Sequence, residues 1–356
     1  MLAYGIGSLL PVATLHYFIM SLSISIGVYF LFTSQSHLIY KSYVFAIVFL
    51  SAMVFWSFST PIHLFTEQPT YEDKVVFSSK TQHHDLVITQ WHHDYWYFID
   101  QLKNLSSIDE YLYYEPMVHS VFDVPVQTEK ALVLGGENGC LIREVLKYDQ
   151  LNRVDVISYD TLLRNLGMVN PYFTQVNKHA YDHEKVHIIQ KDLLQFLSTA
   201  KQTYDLIFID LPDPRSIESN QYYTMEFYQL IRNLLRDQGV MITQAGSPYF
   251  ATEAFYAIGK TIQSSGFHTL PIHNQILTLG EWGWYICSKD QTAEQLKKIL
   301  LSAKKNVIQT RWYNQEAARL ISSFGKTNHE LIEGPINTLE NPLVYKYYLK
   351  GNWDLN

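Results

Sequence analysis

The chain of 356 residues has only two cysteines, Cys140 and Cys287. Two thiols exclude a disulfide framework and fit reducing surroundings. A basic excess is also missing. With 27 Lys+Arg against 34 Asp+Glu, the formal charge of -7 is not the footprint of a nucleic-acid binder. Internal repeats and low-complexity tracts are absent, which sets aside solenoids and fibrous chains. Charge is absent altogether from Gly5 to Phe32, where Leu, Ile, Val and Phe dominate. That run is long enough to cross a bilayer with some tilt, and too long for a cleaved signal peptide. A second apolar run, Ser42 to Phe58, stops before Pro61. It is read as a second transmembrane helix near the short limit, with an interfacial or core helix as the alternative. Lys41 alone in the connecting loop gives the positive-inside rule little to act on.

What is present begins with a small β element. Leu86-Val87-Ile88-Thr89 and Tyr95-Trp96-Tyr97-Phe98-Ile99 predict two strands joined by the polar turn His92-His93-Asp94. His83, His84, His92 and His93 form adjacent pairs with no third ligand at a recognised spacing, so no metal site is read. A helix is expected over Ile108–Phe122. From Lys130 strands and helices alternate: strands at Ala131–Leu134, Val154–Ser158, Val186–Gln190, Asp205–Asp210 and Val240–Gln244, with Trp284–Ser288 as a late strand. Helices are expected at Cys140–Tyr148, Met225–Arg236, Thr252–Ser265, Ala293–Leu301 and Asn314–Phe324. This alternation predicts a doubly wound α/β sheet.

Four apolar residues between Asp205 and Asp210 read as a strand buried on both faces, and Pro212 and Pro214 end it. Asp210 and Asp213 thereby stand at the carboxyl end of a central strand, where open α/β sheets bind ligands. Taken alone, Asp213-Pro214 reads more readily as a plain turn, with Asp210 as its hydrogen-bonded start. The glycine turn Gly135-Gly136-Glu137-Asn138-Gly139 allows close backbone approach, with a helix N-terminus behind it. Its spacing is not that of the dinucleotide fingerprint. Asp160 and Asp192, after the second and third strands, are placed to accept from ribose hydroxyls and an adenine amino group, or to serve as caps. The set describes an adenosyl-ligand site better than a phosphate site.

Several motifs carry a family resemblance. Leu132-Val133-Leu134-Gly135-Gly136-Glu137-Asn138-Gly139 with Arg143-Glu144-Val145-Leu146-Lys147-Tyr148 resembles the glycine motif of spermidine synthases. Ile209-Asp210-Leu211-Pro212-Asp213-Pro214, with Tyr223 and Glu226-Phe227-Tyr228, is similar to the acidic motif of the same family. Gln244-Ala245-Gly246-Ser247-Pro248-Tyr249-Phe250 and Gly280-Glu281-Trp282-Gly283 look like its membrane-bound bacterial branch, whose members usually carry more spans. Ser106-Ser107-Ile108-Asp109-Glu110-Tyr111 and Tyr113-Tyr114-Glu115 resemble the end of its N-terminal β domain. The likeness covers roughly Thr66 to Ser288.

The resemblance implies a Rossmann-like fold of the S-adenosylmethionine-dependent transferase type, behind a small β domain and two N-terminal transmembrane helices. It divides the chain into a membrane segment 1–62, a β domain 71–125, the transferase domain 126–290 and a helical extension 291–356. The implied activity is transfer of an aminopropyl group from decarboxylated S-adenosylmethionine to an amine such as putrescine, with no permanently bound cofactor. Another adenosyl-donor transferase, or a degenerate membrane-tethered homologue that binds a nucleoside or polyamine, remains the alternative. A homo-oligomer at the cell membrane, with its catalytic domain in the cytoplasm, is expected. Asp210 matches the family's general base and Asp213 the residue that orients the substrate ammonium. Tyr113 and Trp282 fall where aromatic faces wall the amine channel. His84 and Tyr114 fall on further substrate-side positions, and Gly135, Gly136, Glu137, Asn138, Ser158, Asp160 and Asp192 on the donor side. This chain departs from the pattern at four places. Asn138 replaces an aspartate, Ser158 the ribose-binding glutamate, His83-His84 a tyrosine–glutamine pair, and Tyr114 a histidine. Glu137 stands where a glycine is usual, one residue from the lost aspartate.

Overall fold

The computed structural model describes residues 38–80, 84–122, 124, 128–302, 308–324 and 335–353, together with positions 21, 25 and 29. Two compact units result, Met1–Asn104 and Leu105–Asn356. The boundary falls ahead of the expected one at residue 125, because the helix Tyr111–Phe122 belongs to the second unit.

In the first unit a helix runs from Leu38 to Glu67. It passes through Pro61 instead of ending before it. Among the described residues no helix is long and apolar enough to cross a membrane. This corrects the membrane location expected from the second apolar run. That run, Ser42 to Phe58, falls short of the ~20 apolar residues a span needs, and the helix continues through the polar Ser59, Thr60, His63 and Glu67. The first apolar run lies outside the described residues, apart from positions 21, 25 and 29. The small sheet has four strands in the order β1 (Lys74–Lys80), β2 (Asp85–Trp91), β3 (Asp94–Ile99) and β4 (Leu102–Ser106). The two expected strands are its centre; they pair antiparallel, with Leu86 opposite Ile99 and Trp91 opposite Asp94.

The second unit is built on a seven-stranded sheet. Its strands are β5 (Lys130–Gly135), β6 (Arg153–Ile157), β7 (Val186–Ile188), β8 (Tyr204–Asp210), β9 (Leu235–Gln244), β10 (His268–Ile276) and β11 (Gly280–Ser288). Their spatial order is β10-β11-β9-β8-β5-β6-β7. β5 to β9 run parallel, while β11 pairs antiparallel with both β9 and β10. The chain winds outward from β5 through β6 to β7, then returns to β8 on the other side of β5. The crevice at the carboxyl ends of β5 and β8 is therefore the topological switch point, where such sheets bind ligands.

β8 is buried from Tyr204 to Ile209, as its apolar run predicts. Its first aspartate is structural, since Asp205 Oδ2 accepts from the amides of Glu129 and Lys130. The helix Met225–Leu234 ends two residues early because Leu235 already pairs with Tyr204 in the sheet. Helices Thr161–Val169, Pro171–Asn177 and Leu193–Thr199 fill the connections after β6 and β7. The helix Tyr111–Phe122 is anchored far along the chain. Glu115, wholly buried, accepts from the amides of Arg311, Trp312 and Tyr313 at 2.6, 2.8 and 2.9 Å.

Candidate active site

Asp210 ends β8 beside the turn that ends β5. Gly135 has φ +82°, and a Cβ there would run into the Asp210 carbonyl. The neighbouring Gly136 amide donates to that same carbonyl at 3.0 Å. Only a glycine lets the two strand ends close on each other here. The Asp210 side chain is then met by the helix Tyr111–Phe122. Tyr113 Oη donates to its Oδ1 at 2.8 Å, and Tyr114 Oη approaches its Oδ2 at 3.4 Å. Burial pushes the Asp210 carboxyl up to about 6, the two tyrosine hydroxyls oppose that rise, and nearby Asp213 adds to it.

Tyr113 packs among tryptophans. The Tyr113 ring lies 5.0 Å from that of Trp284 and 6.5 Å from that of Trp282. Both indole N–H groups are buried and, among the described residues, have no hydrogen-bond partner.

Three of the four departures take part in bonds around the glycine turn: Asn138 with Tyr114, and Ser158 with Glu137. Asn138 Nδ2 donates to Tyr114 Oη at 2.7 Å, while its Oδ1 accepts from the Cys140 amide at 2.9 Å. The asparagine thus links the glycine turn to the tyrosine that faces Asp210. Glu137 turns toward the end of β6, where its Oε1 accepts from Ser158 Oγ at 2.9 Å and the Tyr159 amide at 3.0 Å. Burial outweighs these bonds and raises the Glu137 carboxyl to about 8. Its bonds therefore run to the serine that replaces the ribose-binding glutamate, and not to Asn138.

The other acids are used differently. Asp160 caps the helix Thr161–Val169 by accepting from the amides of Leu162 and Leu163. Asp192 caps Leu193–Thr199 through the Gln195 amide. His84 belongs to the first unit, where Nδ1 lies 2.7 Å from Asp100 Oδ2. Asp213 is held by Gln244, Arg215 and Tyr348. Sequence reasoning assigned none of these three to the site. Gln244 stands in a quoted motif at the end of β9, so strand-end position was an available signal. Tyr348 is 135 residues from Asp213 and gives no local one.

The spermine/spermidine synthase domain family matches residues 110–298, just over half of the chain. The polyamine aminopropyltransferase of Oceanobacillus iheyensis is 32% identical over 291 residues, which is 81% of this chain and 55% of the relative. That of Leptospira interrogans is 29% identical over 304 residues, covering 85% of this chain and 59% of the relative. The chain thus spans between half and two thirds of the length of these curated relatives. Among solved structures, the spermidine synthase from Thermotoga maritima superposes with a TM-score of 0.61 at 22% identity, covering 70% of this chain and 84% of that one. A spermidine synthase in complex with the transition state analogue AdoDATO gives a TM-score of 0.60 at 21% identity, with the same coverage. These superpositions carry the Rossmann-like fold, and the domain match carries the family: the chain belongs to the spermine/spermidine synthase family.

Proposed function

We propose that this protein transfers an aminopropyl group from decarboxylated S-adenosylmethionine to a primary amine. The observation that carries the reading is Asp210, a buried carboxyl raised to about 6, fixed at the switch point by two strands and two tyrosine hydroxyls. The names of the relatives, polyamine aminopropyltransferases, support the same reaction. An amine acceptor arrives as an ammonium and must lose a proton before it attacks. Burial and the nearby sulfonium lower the ammonium pKa toward that of Asp210, which takes the proton. The amine nitrogen then bonds to the carbon next to sulfur, the C–S bond breaks, and its electron pair leaves with a neutral thioether. Asp213 orients the ammonium, and Tyr113 and Trp282 wall it in. Glu137, with Ser158, takes the ribose hydroxyls from the glycine turn, in place of a glutamate at the end of β6. The turn Gly135-Gly136 admits the adenosyl group close to the backbone.

The test is incubation with labelled donor and a panel of monoamines and diamines, followed by product identification. Labelled aminopropyl-amine and methylthioadenosine in equal amounts are expected. Donor that binds but is never consumed with any acceptor would sink the reading.

A further inference from the structure

Asn138 has one way to turn its amide. Its Oδ1 accepts from the Cys140 amide at 2.9 Å, and a backbone N–H can be met only by the oxygen of that side chain. Nδ2 therefore points the other way and donates to Tyr114 Oη at 2.7 Å. The backbone beneath is fixed as well. Wholly buried Asn177 donates from Nδ2 to the Asn138 carbonyl at 2.7 Å and to the Gly167 carbonyl at 2.8 Å.

A tyrosine hydroxyl has one proton to give and lone pairs to receive. Asn138 supplies a proton to the Tyr114 oxygen, which leaves the hydroxyl's own proton for an acceptor. Among the described residues that acceptor is Asp210 Oδ2, at 3.4 Å. The contact is long, so it weighs less than the bond from Tyr113 Oη to Oδ1 at 2.8 Å. The two rings are buried and meet edge to face, 4.9 Å apart, and this packing holds both hydroxyls at the carboxylate. The other titratable groups that act on Asp210 are Asp213 after β8, Glu137 and Cys140 around the glycine turn, Tyr159 after β6, and Tyr223.

We propose that Asn138 is a positioning residue for the base: it points the Tyr114 proton at Asp210, so that the carboxylate meets the incoming ammonium cradled by two hydroxyls. This inference rests on the transfer reading above. Hydrogen bonds to the ionised form favour it, so the cradle keeps Asp210 ready to take a proton against the burial that works to neutralise it. An aspartate at 138 would keep one oxygen on the Cys140 amide. Its other oxygen could only accept, and would draw the Tyr114 proton away from Asp210. Asn138 and Tyr114, two of the chain's departures, thus act as one unit.

The test is the midpoint of the Asp210 carboxyl in carbon-13 NMR of the aspartate-labelled full chain, with its signal assigned by its loss in Asp210→Asn. The single-turnover transfer rate is followed across the same pH range. Tyr114→Phe keeps the ring and drops the proton. It is expected to raise the midpoint, and with it the acid limb of the rate, by about half a pH unit or more. Asn138→Asp is expected to raise both further, because it withdraws the Tyr114 proton and adds a nearby negative charge. In the double variant only the charge effect is new, so its shift should fall short of the sum of the two by about the shift of Tyr114→Phe alone. A midpoint unmoved by Tyr114→Phe, or shifts that add in full, overturn the inference and leave aminopropyl transfer standing. A midpoint that moves while the rate limb does not takes the base role from Asp210, and the inference with it. A wild type that transfers nothing to any amine overturns both readings.

Discussion

At the scale of single residues, Asp210 is held by the sheet and not by a loop, so neutralising it leaves its place intact. Asp210→Asn is expected to slow transfer by about two decades or more, with donor affinity unchanged, in single-turnover kinetics beside a donor titration. Because the carboxyl is raised to about 6, and the proposed base acts deprotonated, the wild-type rate should rise with pH through that value and then level off. Glu137 gives a stability signature of the opposite sense to an ordinary ion-paired acid. Its folded-state value is about 8 against an ordinary 4.5, so the folded protein keeps a proton that the unfolded chain releases. The contribution is complete below 4.5 and is lost as pH rises to about 8. Glu137→Gln should flatten that fall, which thermal unfolding across the window measures; an equal fall in both proteins would contradict the assignment. Asp210 and Asp213 were legible because four apolar residues and two prolines mark the strand end locally. Asp160 and Asp192 sit at equivalent strand ends yet cap helices, since a carboxylate there serves a helix amide as readily as a ligand.

Among the elements, the glycine turn is the one whose backbone the site cannot spare. Gly135→Ala would put a methyl into the Asp210 carbonyl at a φ of +82°. The left-handed conformation alone costs about 1–2 kcal/mol for a residue with a Cβ, and the clash forces β5 and β8 apart. A marked loss of thermal stability together with loss of donor binding is expected; an unchanged melting temperature would mean that the turn is looser than described. The central parallel strands β5 and β8 were legible because each carries a continuous apolar run, Ala131–Leu134 and Leu206–Ile209. β10 was not, since Pro271 inside it argues against a strand; it is tolerated because β10 lies at the sheet edge and pairs only with β11. The short helices between β6 and β8 also escaped notice. Their ends are set by caps and tertiary packing, which a period of 3.6 over so few residues cannot reveal.

For the whole molecule, composition overstated the second apolar run as a membrane span. A stretch such as Ser42 to Phe58 carries no mark in its composition that separates a helix of the first unit from a short span. The C-terminal segment was opaque for a different reason, since its partners lie more than a hundred residues away. Glu115 shows the energetic weight of such ties. Glu115→Ala would strand three amides, of which the Tyr313 amide is in a buried bond and costs about 1–3 kcal/mol, the part-buried other two less. Faster proteolytic cleavage in the C-terminal part than in the sheet is expected, read by fragment mass; uniform resistance would show that the tie is dispensable. The same tie bears on how the protein is made. Glu115 meets its partners across 196 positions or more. At roughly 5–20 residues per second, a ribosome needs on the order of 10–40 s to deliver them. Throughout that interval the nascent chain carries an acid with no amides to grip, so this helix completes its docking only late in synthesis. A chaperone that shields the emerging segment would act in that window.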